Sequence, residues 1–156
     1  DKQAPLAILQ AAARMNDYNF IREGEEYRKL RASTVLKDHL AAKKFIFENS
    51  KKDHPDQVVI VVTHHSPFTQ SYDSSRGDGF FPYYASSLED EFINNCPDVS
   101  YLFHGHIHRT SEYNVGNIKV ICNPLGYPRQ WPMYPPGHLE QITGKIIDLG
   151  DKGGQE

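Results

Sequence analysis

The sequence predicts an α/β fold: mixed sheets flanked by helices, with a βαβ unit at the centre. Three observations carry this. An unbroken, largely β-branched run, Val58–Val62, stops abruptly at Thr63-His64-His65-Ser66-Pro67. A second apolar strand, Val99–Phe103, runs straight into His104-Gly105-His106-Ile107-His108. Between the two lie a polar loop and a helix-start signal. Strand, loop, helix, strand predicts a parallel pair with a right-handed crossover.

The frame is ordinary. The chain has 156 residues, 38% hydrophobic and 24% charged, with mean hydropathy −0.61. That length corresponds to about one domain, able to bury roughly 68–70% of its unfolded surface. A net charge of −3 gives no basic stripe, which argues against nucleic acid as the main partner. The longest apolar run is far too short to span a bilayer, so no membrane partner is expected. No apolar h-region stands at the front. Two cysteines, Cys96 and Cys122, are too few for a disulfide framework and fit a reducing, cytoplasmic setting. The chain opens at Asp1 without a methionine, and we expect it to have been processed or cut from something longer.

Taken in order, Leu6–Met15 has apolar residues at helical spacing after Pro5, which suits a first turn. A longer helix is expected from an N-cap at Ser33-Thr34 to Asn49-Ser50. Leu36, Leu40 and Phe47, widened by Val35, Ala42 and Ile46, make its apolar face, and Phe45 falls off that stripe. The polar stretch Lys51–Asp56 ends this helix, with Pro55 as the breaker. Val58–Val62 is continuously apolar rather than alternating, which predicts a central strand buried on both faces. Residues Phe68–Tyr84 read as a loop. Ser86 and Ser87, with Glu89 and Asp90 three residues on, read as a capping box opening a short helix to Asn95. Ser111–Val115 and Asn117–Cys122 flank Gly116 as a β-hairpin. Asn123–Gly137 is a proline-rich loop, Lys145–Leu149 a last edge strand, and 150–156 a mobile polar tail. Residues 1–149 are thus read as one domain portion.

Chemistry concentrates in the histidines. In extended chain, His104, His106 and His108 point to one side, and Gly105 permits a turn or a close approach. Neutral imidazole is the commonest metal ligand. Both His64 and the second cluster leave the carboxyl ends of strands, where open α/β sheets place ligands. Roughly forty residues apart in sequence, they are expected to meet in space. His64, His106 and His108 are therefore the candidate metal ligands. His104, at the strand end, is better suited to a supporting or structural role. His65 would face away from His64 if the strand persisted, so it is at best a supporting residue. His39 and His54 read as surface residues.

The pair Val61-Val62-Thr63-His64-His65-Ser66-Pro67 and His104-Gly105-His106-Ile107-His108 resembles the C-terminal half of the calcineurin-like metallophosphoesterases. Met15-Asn16-Asp17-Tyr18 before the long helix agrees with that context. Asn123-Pro124, with Gly126-Tyr127 after the hairpin, is similar to one uncharacterised bacterial branch of it. The resemblance implies a metallophosphoesterase-type β-sandwich flanked by helices. It also implies that His64, His106 and His108 are ligands of two divalent ions (Mn, Fe or Zn), with His65, His104 and Asn123 in supporting or substrate-facing places.

The activity implied is hydrolysis of phosphomono- or diesters by a metal-bridging hydroxide, as in a phosphatase or phosphodiesterase. Two ions about 3.5–4 Å apart generate the nucleophile and clamp the phosphoryl oxygens. The family's Asp-x-His, Gly-Asp and Gly-Asn-His motifs are absent here; Gly77-Asp78 and Asn19 are isolated and in the wrong order. No catalytic residue is assigned in this chain, because the general-acid histidine is expected in the missing N-terminal half. The expectation is therefore a fragment, inactive alone and marginally stable, completed by that half or by a partner chain. Its partner in chemistry is a phosphoester substrate, a nucleotide included.

Two rival readings stand beside this one. One is a non-catalytic half-protein with a structural or single-metal histidine site. The other is a histidine-triad nucleotide hydrolase, suggested by the alternating His104, His106 and His108, though Gly105 and Arg109 fit that motif badly. Tyr72, Tyr83, Tyr84, Tyr127 and Trp131 are available to stack on a base or sugar, or simply to cover the sheet edge.

Overall fold

The structure is a computed structural model that describes residues 12–13, 15–72, 85–133, 147 and 149. Of the first helix expected at Leu6–Met15 only Ala12 and Ala13, which are helical, and Met15, which is not, are among the described residues; the rest lies outside them. So do most of Lys145–Leu149 and the whole of the tail.

The chain enters through a single helical turn, α1 (Asp17–Phe20), and a short antiparallel pair, β1 (Arg22–Glu23) with β2 (Arg28–Lys29). Gly24, at φ +70°, supplies the positive φ that the connecting turn needs. α2 then runs over Ala32–Asn49. It starts just ahead of the predicted Ser33-Thr34, with extended Arg31 as its N-cap and no side chain capping it. Its buried contribution comes from the last turn, where Ile46 and Phe47 pack on the core. Val35, Leu36 and Leu40 of the predicted stripe remain exposed, as does Phe45.

The four-stranded sheet is mixed, in the order β3–β4–β6–β5. β3 is Val59–Thr63, β4 Val99–His104, β5 Ser111–Val115 and β6 Ile118–Cys122. β3 and β6 both run parallel to β4, while β5 returns antiparallel to β6. Between β3 and β4 the chain makes the short helix α3 (Glu89–Asn95), so the predicted βαβ unit is present. The predicted hairpin is present too, turning at Gly116 with φ +56°.

The core sits on one face of the sheet. Val61, Leu102 and Val120 lie side by side in register and meet Phe92 of α3, Phe68 and Cys96. Phe92 stands edge-on to both Phe47 and Phe68, at 5.4 and 5.1 Å, a favoured geometry for aromatic rings. Both cysteines are buried and free.

Two expectations are corrected. Among the described residues β3 is an edge strand, not a central one, and Val62 on its second face is 73% exposed. Unbroken apolarity demands cover on both faces, and among the described residues only the Val61 face receives it. The capping box also fails to form. α3 begins at Glu89 behind Leu88, with no side-chain cap. The Glu89 carboxylate instead accepts hydrogen bonds from the backbone N–H and hydroxyl of Thr69, pinning the turn that follows β3.

Candidate metal centre

The parallel register sets the site. Thr63 at the end of β3 lies opposite His104 at the end of β4, so both chains leave the sheet at the same edge. The Gly105 N–H then donates to the His64 carbonyl at 3.0 Å, tying the two exits together. A Cβ on Gly105 would lie 3.6 Å from His64 Nδ1, an ordinary contact. Neither the space around Gly105 nor its backbone therefore demands a glycine: the close approach expected there is an ordinary contact, and its φ is not in the left-handed region.

That strain falls on the next residue. His106 has φ +61°, uncommon for any residue other than glycine. Two tight bonds shape the turn: the Ile107 N–H donates to the Gly105 carbonyl at 2.7 Å, and the Arg109 N–H to the Ile107 carbonyl at 2.8 Å. The strand therefore ends at His104, and the expected alternation of His104, His106 and His108 on one side does not hold. His104 stays with the strand and points inward, only 6% exposed. His106 leaves the strand direction and is half-buried, with its Nε2 shielded from solvent.

His64, His65 and His106 come together. One ring nitrogen of each lies within 4.8 Å of the others. The ring centroids stand 5.1 Å apart for His64 and His106, 5.0 Å for His64 and His65, and 4.2 Å for His65 and His106. His65 joins because β3 stops at Thr63, whose hydroxyl donates to the His65 carbonyl at 2.7 Å and bends the chain. Strand alternation no longer applies there. His65 is exposed, yet the groups packed around it strip solvent from its ring, and with the neighbouring His106 and His64 rings adding to this its imidazole is lowered to about 4; the Asp17 carboxylate pulls the other way. A neutral imidazole is what a metal needs. Sequence reasoning underrated His65 and did not single out Asp17; the abrupt end of the β-branched run was the available signal.

His108 lies outside this grouping. Its Nδ1–H donates to the Gln130 side-chain oxygen at 2.9 Å, and its ring meets Tyr127 edge-on at 4.5 Å. The Arg129 guanidinium lies over the Tyr127 ring, 5.4 Å from its centroid. Gln130 sits in the short 3₁₀ segment Pro128–Met133, so the proline-rich loop packs against His108. The Cys122 thiol, pushed up to about 11 by burial, donates to the Ile107 carbonyl at 3.4 Å from below.

The donor set fits a cation. Three imidazoles in reach of one another match the nitrogen ligation of Zn²⁺ and similar ions, and leave further positions for water or substrate. Among the described residues no carboxylate joins the cluster.

No protein-family model and no curated protein matches this chain. Among solved structures it is similar to the crystal structure of phosphopantetheinyl hydrolase (PptH) from Mycobacterium tuberculosis, with a TM-score of 0.58 at 16% identity. The similarity covers 86% of this chain and 46% of that one. This chain therefore spans less than half the length of that structure, and at such low identity the likeness is one of fold.

The expected membership in the calcineurin-like metallophosphoesterases is corrected accordingly. No family model answers to the motif pair, and the similar structure is a phosphopantetheinyl hydrolase. The implied function falls with it: two-metal hydrolysis of phosphomono- or diesters, as phosphatase or phosphodiesterase. The physical reason lies in the donors. Two short histidine motifs specify imidazoles at a sheet edge, which many reactions can use. The described residues gather three of these imidazoles, with His65 among them and His108 apart.

Proposed function

We propose that this chain supplies a three-histidine cation site to a hydrolase acting on a substrate that carries a phosphopantetheinyl group. The observation that carries the reading is the convergence of His64, His65 and His106 at the carboxyl ends of two parallel strands. That edge is where α/β sheets bind ligands. The substrate class is taken from the phosphopantetheinyl hydrolase whose fold this chain resembles over less than half of that protein's length. The remaining catalytic groups are assigned to a further segment or a partner chain.

His64, His65 and His106 would hold one divalent cation, whose chemistry is to act as a Lewis acid toward a substrate oxygen. The chain's own residues do the rest. The neutral His65 imidazole offers its lone pair at neutral pH without first losing a proton. Tyr127 against the His108 ring, and Arg129 over the Tyr127 ring, present an aromatic face and a positive charge beside His108. They suit an anionic group better than an apolar one.

The test is metal analysis after dialysis against Zn²⁺ or Mn²⁺. One equivalent is expected in the wild type, none in His106→Ala, and one in the exposed control His54→Ala. Unchanged metal in His106→Ala would sink the site assignment. Metal-dependent hydrolysis of a compound bearing a phosphopantetheinyl group, by this chain joined to the rest of its enzyme, checks the substrate class; such hydrolysis is the expected outcome. Metal uptake without any such hydrolysis would leave the structural-site reading as the better one.

A further inference from the structure

Beneath the histidine cluster lies a buried polar chain that the metal reading does not use. Ser71 and His104 are each 6% exposed, and Ser66 is 1% exposed. Burying this many polar groups costs free energy that an apolar cluster would not. The Ser71 hydroxyl lies 2.8 Å from His104 Nε2 and 2.9 Å from the Ser66 hydroxyl, and also bonds the Tyr113 hydroxyl. His104 Nδ1 lies 3.0 Å from the Gly105 carbonyl.

The direction of each bond follows from what each partner can do. The Gly105 carbonyl only accepts, so His104 Nδ1 carries the proton. Nε2 is then an acceptor, and the Ser71 hydroxyl donates to it. Ser71 has one proton, so its oxygen accepts from Tyr113. The Ser66 hydroxyl has the Phe68 carbonyl, at 3.0 Å, as an alternative acceptor. The protons thus run one way: Tyr113 to Ser71, Ser71 to His104, His104 to Gly105.

Gly105 is where this chain meets the site. Its carbonyl receives the His104 proton and the Ile107 N–H, the bond that forces the turn at His106. Its N–H holds the His64 carbonyl. The two peptide units that meet at Gly105 therefore tie together both loops that carry the imidazoles.

We propose that Tyr113, Ser71 and His104 are positioning residues that act through Gly105 to set the mutual geometry of His64 and His106. The proposal rests on the cation-site reading for its functional meaning. Its geometric content does not depend on that reading. A merely structural role would lower stability and leave the cluster unchanged; a positioning role changes the cluster in a protein that is still folded.

The experiment is a Co²⁺ titration followed by visible absorption, paired with ring-nitrogen NMR of the metal-free protein, on wild type, Ser71→Ala and Tyr113→Phe. Ser71→Ala is expected to weaken Co²⁺ binding about tenfold, the low end for supporting residues of metal sites. It should also alter the Co²⁺ absorption band, move the His64 and His106 ring resonances, and mix the two His104 tautomers. Tyr113→Phe, which deletes one oxygen, should do the same to a smaller extent. It carries the decision if Ser71→Ala does not fold. Unmoved rings and unchanged Co²⁺ affinity in the folded variants overturn the proposal. If wild type takes no Co²⁺, the cation-site reading fails. The ring resonances then decide the positioning unit by themselves.

Discussion

His65 and His104 carry the clearest consequence for pH. Burial lowers the His104 imidazole, which carries most of the effect, and the exposed His65, crowded by two other rings and partly screened by water, is lowered to about 4. An unfolded histidine titrates near 6.5. Because the folded values are depressed, the unfolded chain binds more protons as the pH drops, and acid favours it. The associated stability is complete above about pH 6.5 and is lost as the pH falls toward 4. The melting temperature should therefore drop steadily between pH 7 and pH 5 and be flat from pH 7 to 8; a flat profile throughout would contradict the placement of both rings. His65→Gln should flatten part of that slope. At this scale the sequence was partly readable. That His64 and His106 would meet at one sheet edge was legible from the two strands that end just before them. That His65 would join them was not, because its direction depends on where β3 ends, and that is set by the Thr63 hydroxyl bond to the His65 carbonyl.

Among the elements, β4 is the one on which the rest is built. It pairs on both sides, supplies Val99 and Leu102 to the core, and delivers His104 and the loop beyond it. Leu102 is fully buried between Val61 and Val120. Leu102→Ala should cost about 2–5 kcal/mol, the range for emptying such a position, measurable by urea unfolding. A cost below about 1 kcal/mol would mean the sheet is looser than its register implies. Elements carried by strong local signals were legible: the strand of β-branched residues, the hairpin around Gly116, and the βαβ order. Their surroundings were less so. Continuous apolarity in Val58–Val62 says that two faces want cover, yet it cannot say whether the covering chain is present. The same limit applies to Ser86 and Ser87. A capping box can be written into a sequence, but Glu89 is drawn off by Thr69 once the loop folds back.

The molecule as a whole keeps an apolar surface facing water. Val62 and Ile60 on the open sheet face, Leu40 and Phe45 on α2, and Phe20 at the end of α1 are all exposed. No helix among the described residues is long and apolar enough to cross a membrane. An exposed β-branched edge strand is a template for pairing with another chain. The chain should bind an apolar dye in its native state and self-associate as concentration rises, as light scattering can follow. Val62→Thr should reduce both without lowering the melting temperature by more than a degree or two. If the native chain neither binds dye nor associates, those side chains are covered in solution by something close at hand. The fold class was legible because periodicity reports it directly. The family was not, since two short histidine motifs fix a kind of chemistry rather than a lineage.

Cys122 sits where its sulfur can serve as a clock. Its thiol lies under the Ile107 carbonyl, is fully buried, and is raised to about 11, so it is protonated and shielded at neutral pH. Alkylating reagents attack the thiolate, and therefore wait for β6 and the His106 turn to part. The rate at which this cysteine is labelled should thus count the openings of the loop itself. Added Zn²⁺ should slow the labelling if the cluster above it closes around the ion, and leave it unchanged if the imidazoles take none.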